Sequence, residues 1–346
     1  MSIVRALKTH LSSLVVGIVV IVLIAIAGAF AIPALLQGQE ELPGQHGFFV
    51  ENEQSIQEED KLTTLYFVGD MMLTRSVGIK ARQNGEPCRW PFLQVADYLK
   101  QADITFGNLE TTISDRGVNV GSMYSFRSNP CVMEGLTLAG FDALSVANNH
   151  IGDWSRVAME DTFTHLQQNN IAVVGGGFSE EEAYSARILE ANGMTFAFLG
   201  YTDLGAQYTQ ARGDVSGIAW LDKERMVENI QAAKQGADVV IVSVHMGVEY
   251  ETTSRPNQRE IARAAIDAGA KLFIGHHPHV VQETEEYRDG FIAYSLGNFV
   301  FDQYFSEETM QGMLLEVDMR GDEIVDVRER MVQITREYQT LPPSDE

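Results

Sequence analysis

The chain has 346 residues, 45% of them hydrophobic, which supports one large folded domain with extensions and excludes disorder for most of its length. Its formal net charge of −23 excludes a surface that attracts nucleic acid or anionic lipid. An anionic ligand would need a local counter-charge, which bound divalent cations supply.

The amino-terminal residues 1–10 carry Arg5 and Lys8, and residues 11–36 contain no charged side chain. Such a stretch is long enough to cross about 30 Å of hydrocarbon. The basic flank before it, with Glu40 and Glu41 after it, predicts a single-pass transmembrane anchor. That anchor would leave the amino terminus in the cytoplasm and the rest outside the cell membrane. The rival reading is a signal peptide cleaved after Ala29-Phe30-Ala31, with a secreted product. Residues 37–61 read as an acidic flexible linker, because positions 38–60 hold seven acids and no Lys or Arg.

From residue 62 the pattern alternates between strands and helices. Residues 62–70, LTTLYFVGD, form an apolar strand ending at Asp70, and 92–102, FLQVADYLKQA, an amphipathic helix. Strands follow at 103–110 and 141–150, a helix at 155–170 and a strand at 171–177. Asn192-Gly193 sits between two strand patterns and marks a hairpin. Helices at 223–237 and 257–270 alternate with strands at 238–245 and 271–277. A strand at 290–298 and a hairpin around Arg320-Gly321-Asp322 close the fold. The pattern is that of an α/β or α+β sandwich with one sheet mostly parallel.

The polar signals fall where these strands end. Asp70, Asn108 with Glu110, Asn148-Asn149-His150, His245, His277 with His279, and Asn298 each follow an apolar run. Loops at the carboxyl ends of strands line the ligand crevice of an open α/β sheet. One such residue is an ordinary helix cap or core histidine; six segments together point to a metal site. In the segment FIGHHPHVVQ, Pro278 favours an extended His277. An extended backbone puts His277 and His279 on one face and His276 on the other. Cys88 and Cys131 lie in no metal-binding spacing. They either pair as a disulfide or pack as two free thiols.

The segments FVGDMML, FGNLETTI, LSVANNHIGDW, VSVHMGVEYE, GHHPHVVQ and AYSLGNFVFDQ occur in this order between residues 62 and 303. In these the chain resembles the CapA family of capsule or poly-γ-glutamate synthesis proteins. The resemblance implies a calcineurin-like metallophosphatase fold, a four-layer αββα sandwich, over residues 62–303. Residues 304–335 would add the closing strands, and 336–346 a tail. It also implies the ligand set Asp70, Glu110, Asn149, His245, His277 and His279, with His150 as catalytic acid or stabiliser. Two positions depart from the wider metallophosphatase pattern D-x-H, G-D-x-x-D, G-N-H, His, H-x-H. Met72 replaces the D-x-H histidine, and a thioether is a poor ligand for a hard ion. The segment GNLE replaces G-D-x-x-D, which leaves the bridging role to Asn108 or, as the charged group, to Glu110.

Oxygen and imidazole donors suit one or two Mn, Zn or Fe ions. Arg75 is positioned to hold an anionic group. Asn108, Glu249 and Asn298 would support the ligands by hydrogen bonds, with Glu249 a base in the other reading. The leading functional expectation is a membrane-anchored, extracytoplasmic, metal-dependent hydrolase or transferase acting on an anionic polymer such as poly-γ-glutamate. The alternatives are a non-catalytic polymer-binding subunit of a membrane synthase or export complex, and a general envelope phosphoesterase.

Overall fold

The computed structural model describes residues 61–344. The first strand, β1 (Leu62–Met71), is followed by helix α1 (Arg75–Gln83) and a short helix α2 (Ala96–Leu99). Next come β2 (Ile104–Leu109), β3 (Thr112–Ile113), β4 (Arg127–Ser128), α3 (Met133–Ala139) and β5 (Ala143–Ser145). Then follow α4 (Ser155–Gln168), β6 (Ala172–Val174), β7 (Gly176–Gly177), α5 (Glu180–Tyr184), β8 (Arg187–Ala191) and β9 (Met194–Thr202). The second half holds β10 (Gly217–Ile218), α6 (Lys223–Ala233), β11 (Val239–His245), α7 (Pro256–Ala268) and β12 (Leu272–His276). It ends with β13 (Thr284–Tyr287), β14 (Gly290–Ala293), β15 (Asn298–Val300), β16 (Gln311–Arg320) and β17 (Glu323–Gln333).

Two mixed sheets carry the fold. One runs β17-β16-β1-β2-β5-β6, with β15 added beside the end of β1; the other runs β13-β14-β12-β11-β9-β8. Alternation along each strand explains why they stack. Leu65 and Phe67 of β1 share a core with Ile241 of β11 and Ile274 of β12, whereas Tyr66 and Val68 face the helices. Phe106 of β2 stacks on Phe198 of β9 across the interface, with ring centroids 5.4 Å apart. The outer face of the first sheet is covered by α3 and α4 through Leu136, Met159, Phe163 and Leu166. Helices α6 and α7 cover the second through Met226, Ile230, Ala262 and Ile266. The result is a four-layer αββα sandwich. The sequence pattern indicated one largely parallel sheet; the second sheet shares its parallel centre, β9-β11-β12-β14, with antiparallel strands at both edges.

Parallel registers align the polar strand ends. Asp70 of β1 is level with both Asn108 of β2 and Asn298 of β15, and His245 of β11 is level with His276 of β12. Gly275 lets the chain pass this closely: a Cβ there would collide with the carbonyl oxygen of Tyr294.

Two expectations are corrected. The helix expected over 92–102 is a single 3₁₀ turn, Trp90–Phe92, followed by the four residues of α2. The chain must turn early into β2, where the Asp103 carboxylate accepts the Thr64 N–H at 2.8 Å. The transmembrane helix is the second. Among the described residues no helix is long and apolar enough to cross a membrane. The longest of the α-helices given above, α4, has 14 residues, about 21 Å, and its apolar side is spent on the sheet. The span expected at 11–36 lies outside the described residues. The membrane anchor, the membrane as partner and the cell-membrane localisation are withdrawn; the polymer and synthase-complex partners, which came from the family resemblance, gain no support from the described residues and are not carried further.

Cys88 and Cys131 are disulfide-bonded, with Cα atoms 5.1 Å apart. The bond ties the loop before Trp90 to the turn Pro130–Val132, just beyond β4. It closes a loop with a sequence separation of 43, worth about 4 kcal/mol in the chain-entropy model. Cys131→Ser is expected to lower Tm by about 10 °C in calorimetry under non-reducing conditions. An unchanged Tm would show that the bond constrains nothing.

Candidate metal centre

Asp70 ends the apolar run of β1 and is fully buried. Asn108 Nδ2 donates to its Oδ1 at 2.8 Å, and the His277 backbone N–H donates to Oδ2 at 3.1 Å. The imidazoles of His276 and His279 each place Nδ1 3.2 Å from one of its oxygens. Burial alone would raise its pKa, but the close approach of His276 and His279 outweighs it and holds Asp70 well below the usual carboxylate range. A second buried carboxylate lies close by and is treated differently. Glu110, on the bend after β2, is fully buried, and neither of its oxygens has a hydrogen-bond partner. His150 Nε2 and His279 Nε2 stand 3.7 and 3.8 Å from Oε1. Burial, then the negative potential of Asp70, Glu249 and Asp153, pushes the Glu110 pKa well above its ordinary value.

A buried carboxylate without a partner is costly and needs a counter-charge. The donors around it fit a divalent cation. One oxygen or nitrogen from each of Asp70, Glu110 and His279 lies within 4.8 Å of the others, and Glu249, His277 and His279 form a second such group. His279 belongs to both. Its tautomer follows from the hydrogen bonds behind it. Asn298 Nδ2 donates to Gln303 Oε1 and to the Thr309 carbonyl, both at 3.0 Å, which fixes the amide with Oδ1 toward His279 Nδ1 at 3.0 Å. The hydrogen therefore sits on Nδ1, and Nε2 is free toward Glu110.

The remaining expected ligands close the other side. His245 Nε2 lies 2.8 Å from Asn149 Oδ1, and its Nδ1 lies 3.2 Å from Asn108 Nδ2. Its ring centroid is 4.9 Å from that of His277. Burial, then the potential of His277, holds His245 well below its ordinary pKa, and burial with His279 pushes His277 down to about 3. Both are neutral, as metal binding requires; Asn108 Nδ2 donates to His245 Nδ1, so His245 Nε2–H donates to Asn149 Oδ1, a bond that an ion held by these two would have to replace. His277 Nδ1 is buried without a partner.

His150 stands at the mouth. Its Nδ1 is 2.7 Å from Asp153 Oδ2, which also accepts the Phe126 N–H at 2.8 Å, and the Phe126 ring lies 4.0 Å from the imidazole. Nε2 is left free, 3.7 Å from Glu110 Oε1. Arg75 is near but apart: its guanidinium lies 3.2 Å from Asp302 and over the Phe126 and Tyr124 rings.

The segment around Pro278 is not extended. His277 and His279 have φ of 99° and 59°, in the left-handed region. Backbone curvature, not strand alternation, turns both rings toward the centre. His276 is no bystander, since it ends β12 with its ring against Asp70. Met72 is a core side chain whose sulfur accepts the Thr74 N–H. Asp153 escaped the sequence reading, although its place three residues after His150 was a usable signal.

The model of the family described as bacterial capsule synthesis protein PGA_cap matches residues 64–303. The chain belongs to this family. The PGA biosynthesis protein CapA of Bacillus subtilis (strain 168) is 34% identical over 70% of this chain and 64% of its own length. The capsule biosynthesis protein CapA of Bacillus anthracis is 32% identical over 78% of this chain and 67% of its own. The chain thus spans about two thirds of these relatives. A crystal structure of a hypothetical protein from Thermus thermophilus superposes with a TM-score of 0.50 at 15% identity, covering 78% of this chain and 99% of that one. At that identity the likeness is one of fold.

An unpartnered Glu110 makes a signed prediction for the metal-free protein. A carboxyl whose folded pKa is raised binds its proton in the native state, so its stabilising effect is full below about pH 4.5 and is lost as pH rises toward the folded pKa. From about pH 5 to 8 the wild type should lose stability relative to Glu110→Gln, by about 1–3 kcal/mol. Denaturant titrations at both pH values measure this, and Glu110→Gln should also bind less Mn²⁺. Parallel pH profiles together with full Mn²⁺ binding would contradict the assignment. His277→Ala and His279→Ala should each lower the metal content measured by elemental analysis, and unchanged content in both would remove the two histidines from the ligand set.

Proposed function

We propose that the protein is a phosphoesterase dependent on a divalent metal, Mn, Zn or Fe. The observation that carries this reading is the buried, unpartnered Glu110 carboxylate facing a hydrogen-bonded His150–Asp153 pair. Asp70, Glu110, Asn149, His245, His277 and His279 would hold one or two ions. When bound, such ions supply an activated water and polarise a phosphoryl oxygen.

The chain's own residues do the rest. Asp153 accepts the Nδ1–H of His150 and fixes the ring, which leaves Nε2 to carry a proton to the leaving oxygen. Phe126 covers one side of that imidazole and limits water around it. Asn108 donates to Asp70 and keeps that carboxylate in place. Asn148 in turn donates to Asn108 Oδ1 at 3.1 Å, so the Asn108 amide cannot flip. Capsule biosynthesis, the process printed for the relatives, is the setting we assign to this activity.

Binding without turnover is the second reading, and Met72 favours it: a core side chain stands where the wider pattern has a ligand. The test is hydrolysis of a phosphate monoester and a diester by the Mn²⁺-loaded protein. His150→Asn should keep its metal and lose about 10²–10⁴-fold in kcat, and Asp153→Asn should show a smaller loss. No turnover by the wild type would favour the binding reading, and full activity of His150→Asn would remove His150 from the mechanism.

A further inference from the structure

A cavity of about 340 Å³ opens beside His150 and His279. Half of its lining residues are large aromatics: Tyr124, Phe126, Tyr250, Phe301, Tyr304 and Phe305. Tyr124, Tyr304 and Phe305 are 58%, 58% and 64% exposed. Large aromatic rings exposed together around one cavity mark a ligand surface. Tyr250 and Phe305 meet edge to face at 5.1 Å. Backbone strain supports the same reading. Arg75 and Tyr250, both lining the cavity, have φ of 52° and 67°, a conformation that non-glycine residues adopt at a cost.

Two polar groups of the cavity, Arg75 and Gln303, are committed to neighbours. Arg75 pairs with Asp302, whose other oxygen accepts the Ser76 N–H. Gln303 accepts from Asn298 and donates to the Tyr250 hydroxyl. The one cationic side chain is thus neutralised, and Glu249 adds negative charge to the lining. A leaving group with further anionic charge would meet Glu249 and no free cation. A sugar could reach Asp302 Oδ1, Glu249 and the hydroxyls of Tyr124 and Tyr304, and it is the competing occupant. Flat aromatic faces make up half of the lining, and they favour a ring.

We infer that this cavity is the leaving-group subsite, and that it selects phosphoesters whose leaving group carries an uncharged aromatic ring. The inference rests on the phosphoesterase reading above and adds the substrate class. The phosphoryl group would sit toward Glu110 and His279, and the ring between Tyr124, Tyr250 and Phe305. His150, which also lines the cavity, would lie beside the bond between them.

The test compares benzyl phosphate, n-butyl phosphate and glucose 6-phosphate with the Mn²⁺-loaded protein. All three release a primary alcohol, so leaving-group acidity does not dominate. Wild type should prefer benzyl to butyl phosphate by about tenfold in kcat/KM. Phe305→Ala and Tyr124→Ala, both at exposed positions, should bring that ratio to about two, and Phe305→Tyr should restore it. Calorimetric binding of benzylphosphonate against butylphosphonate gives the same comparison without turnover. Hydrolysis of all three esters with no benzyl preference, or with glucose 6-phosphate preferred, overturns the subsite and leaves the phosphoesterase reading standing. No hydrolysis, but a benzylphosphonate preference that Phe305→Ala abolishes, supports the ring subsite and overturns the phosphoesterase reading. No hydrolysis and no binding preference overturns both.

Discussion

Two carboxylates are buried in the same small volume, and only one of them is compensated. Asp70 is surrounded by an amide, a backbone N–H and two imidazoles. Glu110 has nothing within hydrogen-bonding distance. A protein interior tolerates the first arrangement and penalises the second. The surrounding architecture keeps the penalty in place: Glu110 cannot reach water, and the nearest imidazoles stop short of it. A cation relieves this constraint, and the neutral state of His245 and His277 is what a cation requires of its neighbours.

The fold delivers this centre through register. Asp70, Asn108 and Asn298 lie in one row because β1, β2 and β15 are parallel and aligned there. The second sheet brings His245 and His276 level in the same way. Behind the rows, side-chain amides lock one another. Asn148 holds Asn108, Asn108 holds Asp70, and Asn298 holds His279. Asparagine suits these positions because it donates and accepts at once and adds no charge to a site that already holds two buried carboxylates. The disulfide anchors the chain a few residues beyond Phe126, which covers His150.

Much of this was legible in the sequence, for identifiable reasons. Apolar runs that end in Asp, Asn or His located the strand ends, and the strand ends pointed to the candidate centre. Asn192-Gly193 and Arg320-Gly321-Asp322 marked hairpins that are present as β8–β9 and β16–β17. What failed was local backbone detail. Pro278 suggested an extended chain, yet His277 and His279 lie in the left-handed region, where the His277 N–H donates to Asp70 and His279 Nδ1 meets Asn298 Oδ1. The same error made His276 look uninvolved. The helix expected over 92–102 was cut short by the entry into β2, a tertiary demand that periodicity does not contain. Asp153 and the aromatic cavity were missed because they depend on side chains meeting across loops. The membrane anchor came from residues 11–36, outside the described residues, and no described helix supplies one.

The central claim is that Glu110 is held unpartnered to face a metal ion. Anomalous diffraction from crystals grown with Mn²⁺, recorded on both sides of the manganese edge, tests it most directly. The account predicts a peak within coordination distance of Glu110 and of His279 Nε2, about 2.0–2.3 Å from each donor. A map with no peak there, or with manganese only at surface carboxylates, would contradict it.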